Sequence, residues 1–380
     1  MFNPMRSPII FSNDATPAAR RSYGSTSHPH VTPLFEGAFE PDMLGEGYER
    51  CTIDLGVDPD GETDIVATVV RHLHQGGNDS DTSASSDVQP SPHSAVLYVH
   101  GMTDYFFQTH VAEFFGNHGY DFYAVDLRKC GRSWRAGQRW HHITDLSFYD
   151  VELDAVADYL LSHDGGAYDR VIVMAHSTGG LIAPLWLHRR AQRQGLDGIE
   201  GMILNSPWLD MMVPKPIARA LDPAIGLIAK LRPDMPMPPD NLTAYGESIH
   251  KDFNGVWDFD RRFKPVKSPE KSMSWLSAIF VGHRAIRAGR GEVNIPILVL
   301  HSSASHINKP YSEATNHADS VLDVRDIARW APALAGPEGS VTTRVIEGAR
   351  HDVFLSEPTP RAQAFSDTAE WLTQLPATTP

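Results

Sequence analysis

The sequence predicts an α/β protein, a mostly parallel central sheet flanked by helices, with a helical segment inserted between two late strands. Three observations carry that expectation. Short apolar runs recur from Ala95 to the end of the chain, and windows of helical period separate them. One long interval, from Trp208 to about Val293, breaks the alternation with helical patterns, prolines, methionines and aromatics but no strong strand.

The elements follow in order. "YERCTIDLG" and "TDIVATVVRHLHQ" read as two opening strands, the second richer in β-branched residues. "AVLYVH", "DFYAVDLR", "VIVMAHS", "GMILNS", "ILVLHS" and "VTTRVIEG" are apolar at neighbouring positions, which suits strands covered on both faces of a parallel sheet. Tyr149, Leu153, Val156 and Leu160 recur at helical spacing, as do Phe365, Ala369 and Leu372. Strand and helix in alternation imply right-handed crossovers.

The chain divides accordingly. Residues 1–45, rich in Pro, Ser and Thr, read as an irregular arm; 46–207 and 294–380 form the α/β core; 208–293 form the insertion. Within the core, 76–94 is a polar low-complexity tract too poor in apolar residues to offset its ordering entropy, so a mobile surface loop is expected. An insertion this long favours a functional lid, with an accessory helical layer as the alternative.

Composition excludes several classes. The chain has 380 residues, 41% of them hydrophobic and 21% charged, which is ordinary for a globular protein. Its 33 basic and 47 acidic residues give a net charge of −14, which repels nucleic acid. Two cysteines, Cys51 and Cys130, make no disulfide framework and point to a reducing cytoplasm. No signal-peptide pattern and no run of about 18 apolar residues is present, so no integral membrane segment is expected; the weakly apolar start leaves room for transient contact with a lipid surface.

The chemistry centres on "VIVMAHSTGG". A serine is a poor nucleophile unless a base is in reach and a tight strand-to-helix turn exposes its oxygen, which small flanking residues permit. Here Ala175-His176-Ser177-Thr178-Gly179 fills the G-x-S-x-G frame with alanine first, between an apolar strand and a helical run. Ser177 is the candidate nucleophile, with helix capping as its plain alternative. The amide after the nucleophile, Thr178, is one candidate oxyanion donor, and Met102, after His100-Gly101 at the end of an earlier strand, is the other. His351 follows the last strand and is the candidate base. For the acid, chain order allows either Asp319 or Asp210; Asp323 reads as a helix cap.

At these residues the sequence resembles the α/β-hydrolase superfamily, in particular its monoacylglycerol lipase, lysophospholipase and serine aminopeptidase S33-like group. The resemblance covers roughly Ser94 to Leu375 through "VHGMTDYFF", "YAVDLRKCGRSWR", "AHSTGG", "LNSPWLD", "DSVLDV" and "RHDVFLS". It implies the α/β-hydrolase fold with a helical cap over an acyl pocket. It also favours Asp319, first in a D-x-V-x-D pattern, as the acid, although the family usually places that residue sooner after its strand. The implied partner is a small-molecule ester or lipid with a medium or long acyl chain, and the implied reaction needs no cofactor and no metal. A peptidase or amidase and a non-catalytic binding protein on the same fold remain as alternatives.

The other motifs carry bland readings. His72/His74 and His141/His142 lack carboxylate or thiolate partners at a ligand spacing. "GHRAIRAGRG" reads as a solvated helix end, and Tyr105, Phe106 and Phe107 serve equally as acyl-pocket lining or as core.

Overall fold

The computed structural model describes residues 35, 38–74, 93–161, 168–212, 215–237 and 242–375. Nine strands form one sheet: β1 (Glu40–Pro41), β2 (Tyr48–Gly56), β3 (Ile65–His72), β4 (Ser94–Val99), β5 (Tyr120–Asp126), β6 (Arg170–His176), β7 (Ile199–Asn205), β8 (Pro296–Ser302) and β9 (Ser340–Ile346). Their spatial order is β1-β2-β3-β5-β4-β6-β7-β8-β9. The pairs β1/β2, β2/β3 and β3/β5 are antiparallel, and every pair from β5/β4 to β8/β9 is parallel.

The alternation of side chains explains why both faces of the parallel strands are apolar. Leu97 and Val99 of β4, Val173 and Ala175 of β6 and Val299 of β8 join one core cluster; the intervening Val96, Tyr98, Ile172, Met174 and Leu298 join another. Helices α1 (Thr109–Gly116) and α8 (Pro358–Thr373) cover the second cluster through Phe115 and Trp371. The first is covered by α2 (Asp150–Leu161) and α3 (Gly179–Arg193) through Leu153, Leu181 and Trp186.

Between β7 and β8 the chain forms α4 (Lys215–Leu231), α5 (Thr243–Ile249) and α6 (Met273–Arg287). These behave differently. Trp275, Ile279 and Phe280 of α6 belong to the main core cluster, and a Cβ on Gly282 would stand only 2.7 Å from Leu146 and 3.2 Å from Leu181. That close approach makes α6 part of the body of the protein. The stretch from α5 to Lys264 instead meets the carboxyl edge of the sheet, where Tyr105 Oη accepts from the Asp260 amide at 2.7 Å and Trp257 Nε1 donates to the Leu355 carbonyl at 2.9 Å.

Two sequence boundaries differ from the structure. Glu40 and Pro41, inside the segment read as an arm, pair with β2, and Asp42 accepts two bonds from buried Arg132. Ser94, the last residue of the polar tract, already opens β4; residues 1–34 and 76–92 of the arm and tract lie outside the described residues. Among the described residues no helix is long and apolar enough to cross a membrane.

Candidate active site

Parallel pairing brings the strand ends together: Val99 pairs with Ala175, Ala175 with Leu204, and Asn205 with both His176 and Leu300. The loops leaving β4, β6, β8 and β9 therefore open on one edge of the sheet. Ser177 follows β6 directly and has φ of 53°, a left-handed conformation costing ~1–3 kcal/mol for a residue with a side chain. Its amide bonds to the Asn205 carbonyl, and its carbonyl accepts from the amides of Gly180 and Trp208. The surroundings thus enforce the strained turn.

The flanking glycines are steric necessities. A Cβ on Gly179 would lie 2.5 Å from the His100 carbonyl oxygen and 2.6 Å from that of Val99, so α3 can start against β4 only with glycine there. Gly180 is as confined, its notional Cβ 2.6 Å from Pro207 Cβ and 2.7 Å from Pro207 Cα. Ala175, by contrast, sits within β6 with no exposed surface and pairs normally on both sides, so the frame tolerates alanine at its first position.

His351 is buried after β9. Its Nε2 lies 2.9 Å from Ser177 Oγ and its Nδ1 2.9 Å from Asp319 Oδ2. Because the carboxylate accepts from Nδ1–H, Nε2 is left free to accept from the serine hydroxyl. Asp319 is fully buried, and its other oxygen accepts from the amides of Val321 and Leu322, both at 2.8 Å. The chain between β8 and Asp319 is an excursion that returns: Ser305 and Asp319 form a parallel bridge, with the Asp319 amide bonded to Ala304 O and the His306 amide to Asp319 O. The late carboxylate thus stands where an immediate one would.

The other sequence candidates separate cleanly. Asp210 binds Arg287 Nη1 and Trp330 Nε1, each at 2.9 Å, away from His351. Asp323 caps the helix α7 (Val324–Trp330) through the Arg325 amide. The amides of Met102 and Thr178 have no backbone acceptor outside helices and strands among the described residues; Met102 lines the cleft with Ser177, and Thr178 follows it in the chain. His100 holds the first loop: its Nε2 accepts from the Leu127 amide, so its Nδ1–H donates to Gly101 O at 2.6 Å.

An open cleft lies over Ser177. Its apolar wall includes Met102, Leu242, Phe259, Pro265, Val266 and Val321. It also contains a buried ion pair, Asp104 with Lys264 Nζ at 2.5 Å, which ties the insertion to the loop after β4. Phe106 is core, and Tyr105 and Phe107 pack behind the cleft against Phe259 and Ile249, so the structure resolves the aromatic triplet as packing.

Several buried polar groups escaped sequence reasoning. Arg350 bonds to Asn316, Leu355 O and Glu357, joining the histidine loop to the excursion that carries Asp319. Thr103, with φ of 48°, bonds His141 Nδ1 at 2.6 Å, and His141 itself has φ of 42°. His142 meets Ser272, and His74 meets Asp121, so these two histidines and His141 serve as hydrogen-bonding groups. Among the described residues no cluster of three or more His, Cys, Asp or Glu could hold a metal ion. Arg284 and Arg287, in the basic stretch, pair with Asp222 and Asp210.

Sheet order, crossovers and the serine turn define an α/β hydrolase. The family described as "Serine aminopeptidase, S33" matches residues 90–359, and the chain belongs to that family. Solved structures of the same fold include a soluble variant of monoglyceride lipase from Saccharomyces cerevisiae, 18% identical, with a TM-score of 0.57 over 82% of this chain and 92% of that one. A carboxyl esterase from Bacillus coagulans is 14% identical, with a TM-score of 0.56 over 87% and 99%. The monoacylglycerol lipase of Paleococcus ferrophilus is 19% identical, with a TM-score of 0.52 over 75% and 96%. No curated protein matches by sequence.

Proposed function

We propose that the chain is a serine ester hydrolase acting on carboxylic esters of medium or long acyl chains. The observation that carries this reading is the pair of 2.9 Å contacts running from Ser177 Oγ through His351 to Asp319. Ser177 Oγ attacks the ester carbonyl as its proton passes to His351 Nε2, and the C–O π bond opens to an oxyanion. The amides of Met102 and Thr178 stabilise that oxyanion, and Asp319 stabilises the imidazolium. Collapse expels the alcohol, which takes the proton from His351; water, deprotonated by the same nitrogen, then releases the acid and restores Ser177. In this reading residues 208–293 contain the cap, with the α5-to-Lys264 stretch as the wall over Ser177. The apolar side of the cleft supports an acyl chain as its occupant.

Amide or peptide hydrolysis is the second reading, supported by the aminopeptidase description of the matched family. A fluorophosphonate probe is expected to label Ser177, and Ser177→Ala to abolish both labelling and p-nitrophenyl ester turnover. Undiminished turnover in Ser177→Ala refutes the nucleophile. Matched acyl esters and peptidyl amides then decide between the two readings.

A further inference from the structure

Asn205 closes β7 between the two loops that carry Ser177 and His351. Its carbonyl accepts from the Ser177 amide at 3.0 Å and from His176 Nδ1 at 3.2 Å. Its side chain reaches the other loop, where Nδ2 donates to Asp352 Oδ1 at 2.7 Å and Oδ1 accepts from the Val353 amide at 3.1 Å. Asp352 and Val353 directly follow His351, and all of these groups are buried. We propose that Asn205 is a positioning residue that holds the Ser177 turn and the His351 loop in the register that sets Oγ and Nε2 2.9 Å apart. The proposal rests on reading Ser177 and His351 as nucleophile and base.

The chemistry demands a carboxamide. The position must donate to a carboxylate and accept from an amide at once, which one neutral planar group does and neither a carboxylate nor an alkyl chain can. Burial pushes the Asp352 carboxyl up, but the His176 ring and hydrogen bonds from Asn205, from Gln108 Nε2 and from the Phe354 amide outweigh it and hold the carboxyl below its ordinary range. Asn205 is the shortest of those donors. Without it, a buried carboxylate and a buried amide both lose a partner one or two residues from the imidazole, and the loop must shift to recover them. Asp319 fixes the far nitrogen of the ring from a different loop, so it constrains where the ring points but not how far the loop stands from Ser177.

The test separates positioning from folding. Asn205→Ala and the isosteric Asn205→Asp are each titrated to completion with the fluorophosphonate, and kcat for p-nitrophenyl butyrate is expressed per labelled site. We expect complete labelling with kcat per site down about 10- to 100-fold and KM nearly unchanged, the size of effect that a misplacement near 1 Å produces. A lower labelled fraction with wild-type kcat per site makes Asn205 a folding residue only and overturns the proposal. If Asn205→Ala does not fold, Asn205→Asp decides by the same two readings, since it keeps the shape but sets a carboxylate against Asp352. Failure to label Ser177 in the unmodified protein overturns the nucleophile instead, and no Asn205 variant is needed to see it.

Discussion

Replacing Asp319 by asparagine keeps the volume of the side chain but exchanges one carboxylate oxygen, and the negative charge, for an NH2 group. Oδ1 accepts from the amides of Val321 and Leu322, so the new carboxamide keeps its oxygen there and turns its NH2 toward His351 Nδ1. That nitrogen must then accept, which moves the ring proton to Nε2, the atom 2.9 Å from Ser177 Oγ. A protonated Nε2 cannot take the serine proton. The wrong tautomer costs about 10⁴-fold in kcat, or about 5.4 kcal/mol at 1.36 kcal/mol per decade. Asp210→Asn weakens bonds to Arg287 and Trp330, neither of which belongs to the Ser177–His351–Asp319 relay, so kcat is expected to stay within about twofold at some cost in stability. The assay is kcat, measured with KM, for p-nitrophenyl butyrate at one pH, with circular dichroism confirming that each variant is folded. An Asp319→Asn enzyme within about tenfold of wild type, or an Asp210→Asn enzyme slower than it, refutes the assignment of the acid.

Two further outcomes concern stability. Lys264→Met leaves the Asp104 carboxylate buried without its cation and is expected to cost about 3–5 kcal/mol in urea unfolding, while Asp104→Leu/Lys264→Met recovers most of it; an additive double variant contradicts the pairing. Burial lowers His176 to about 4, below its ordinary 6.5, with Asp352 opposing and His351 adding to the shift. The unfolded chain therefore takes up a proton that the folded one refuses, and stability is lost as pH falls from 6.5 toward 4. The depressed Asp352 adds its own loss only below 3.8. His176→Asn is expected to make the acid limb of the urea midpoint shallower, and an unchanged limb contradicts that account.

The strands, the serine turn and the last histidine were legible because each rests on a local pattern: an apolar run, a strand followed by small residues, a strand end near the carboxyl terminus. The place of Asp319 beside His351 was not. Its distance from β8 along the chain hides the bridge to Ser305 that carries it back, and the pairing of excursion ends leaves no period in a sequence. The aromatic triplet was ambiguous for a related reason, since Phe106 faces one core cluster and its two neighbours another. In the insertion, composition could not distinguish α6, which packs into the body, from the stretch that overhangs Ser177. The supporting polar groups were invisible: Asn205 and Asp352, or Thr103 and His141, are single residues whose partners stand far off in the chain.

The bridge at Ser305 has a use in protein engineering. Because the chain is fastened on both sides of it, by His306 to Asp319 and by Asp319 to Ala304, the exposed tip at Lys309 and Pro310 lies outside the fastened base. Each doubling of such a closed tip costs only about 0.6 kcal/mol in chain entropy. A peptide tag, a recognition loop or a small folded guest spliced in at Lys309 should therefore ride on the molecule without disturbing the carboxylate of Asp319.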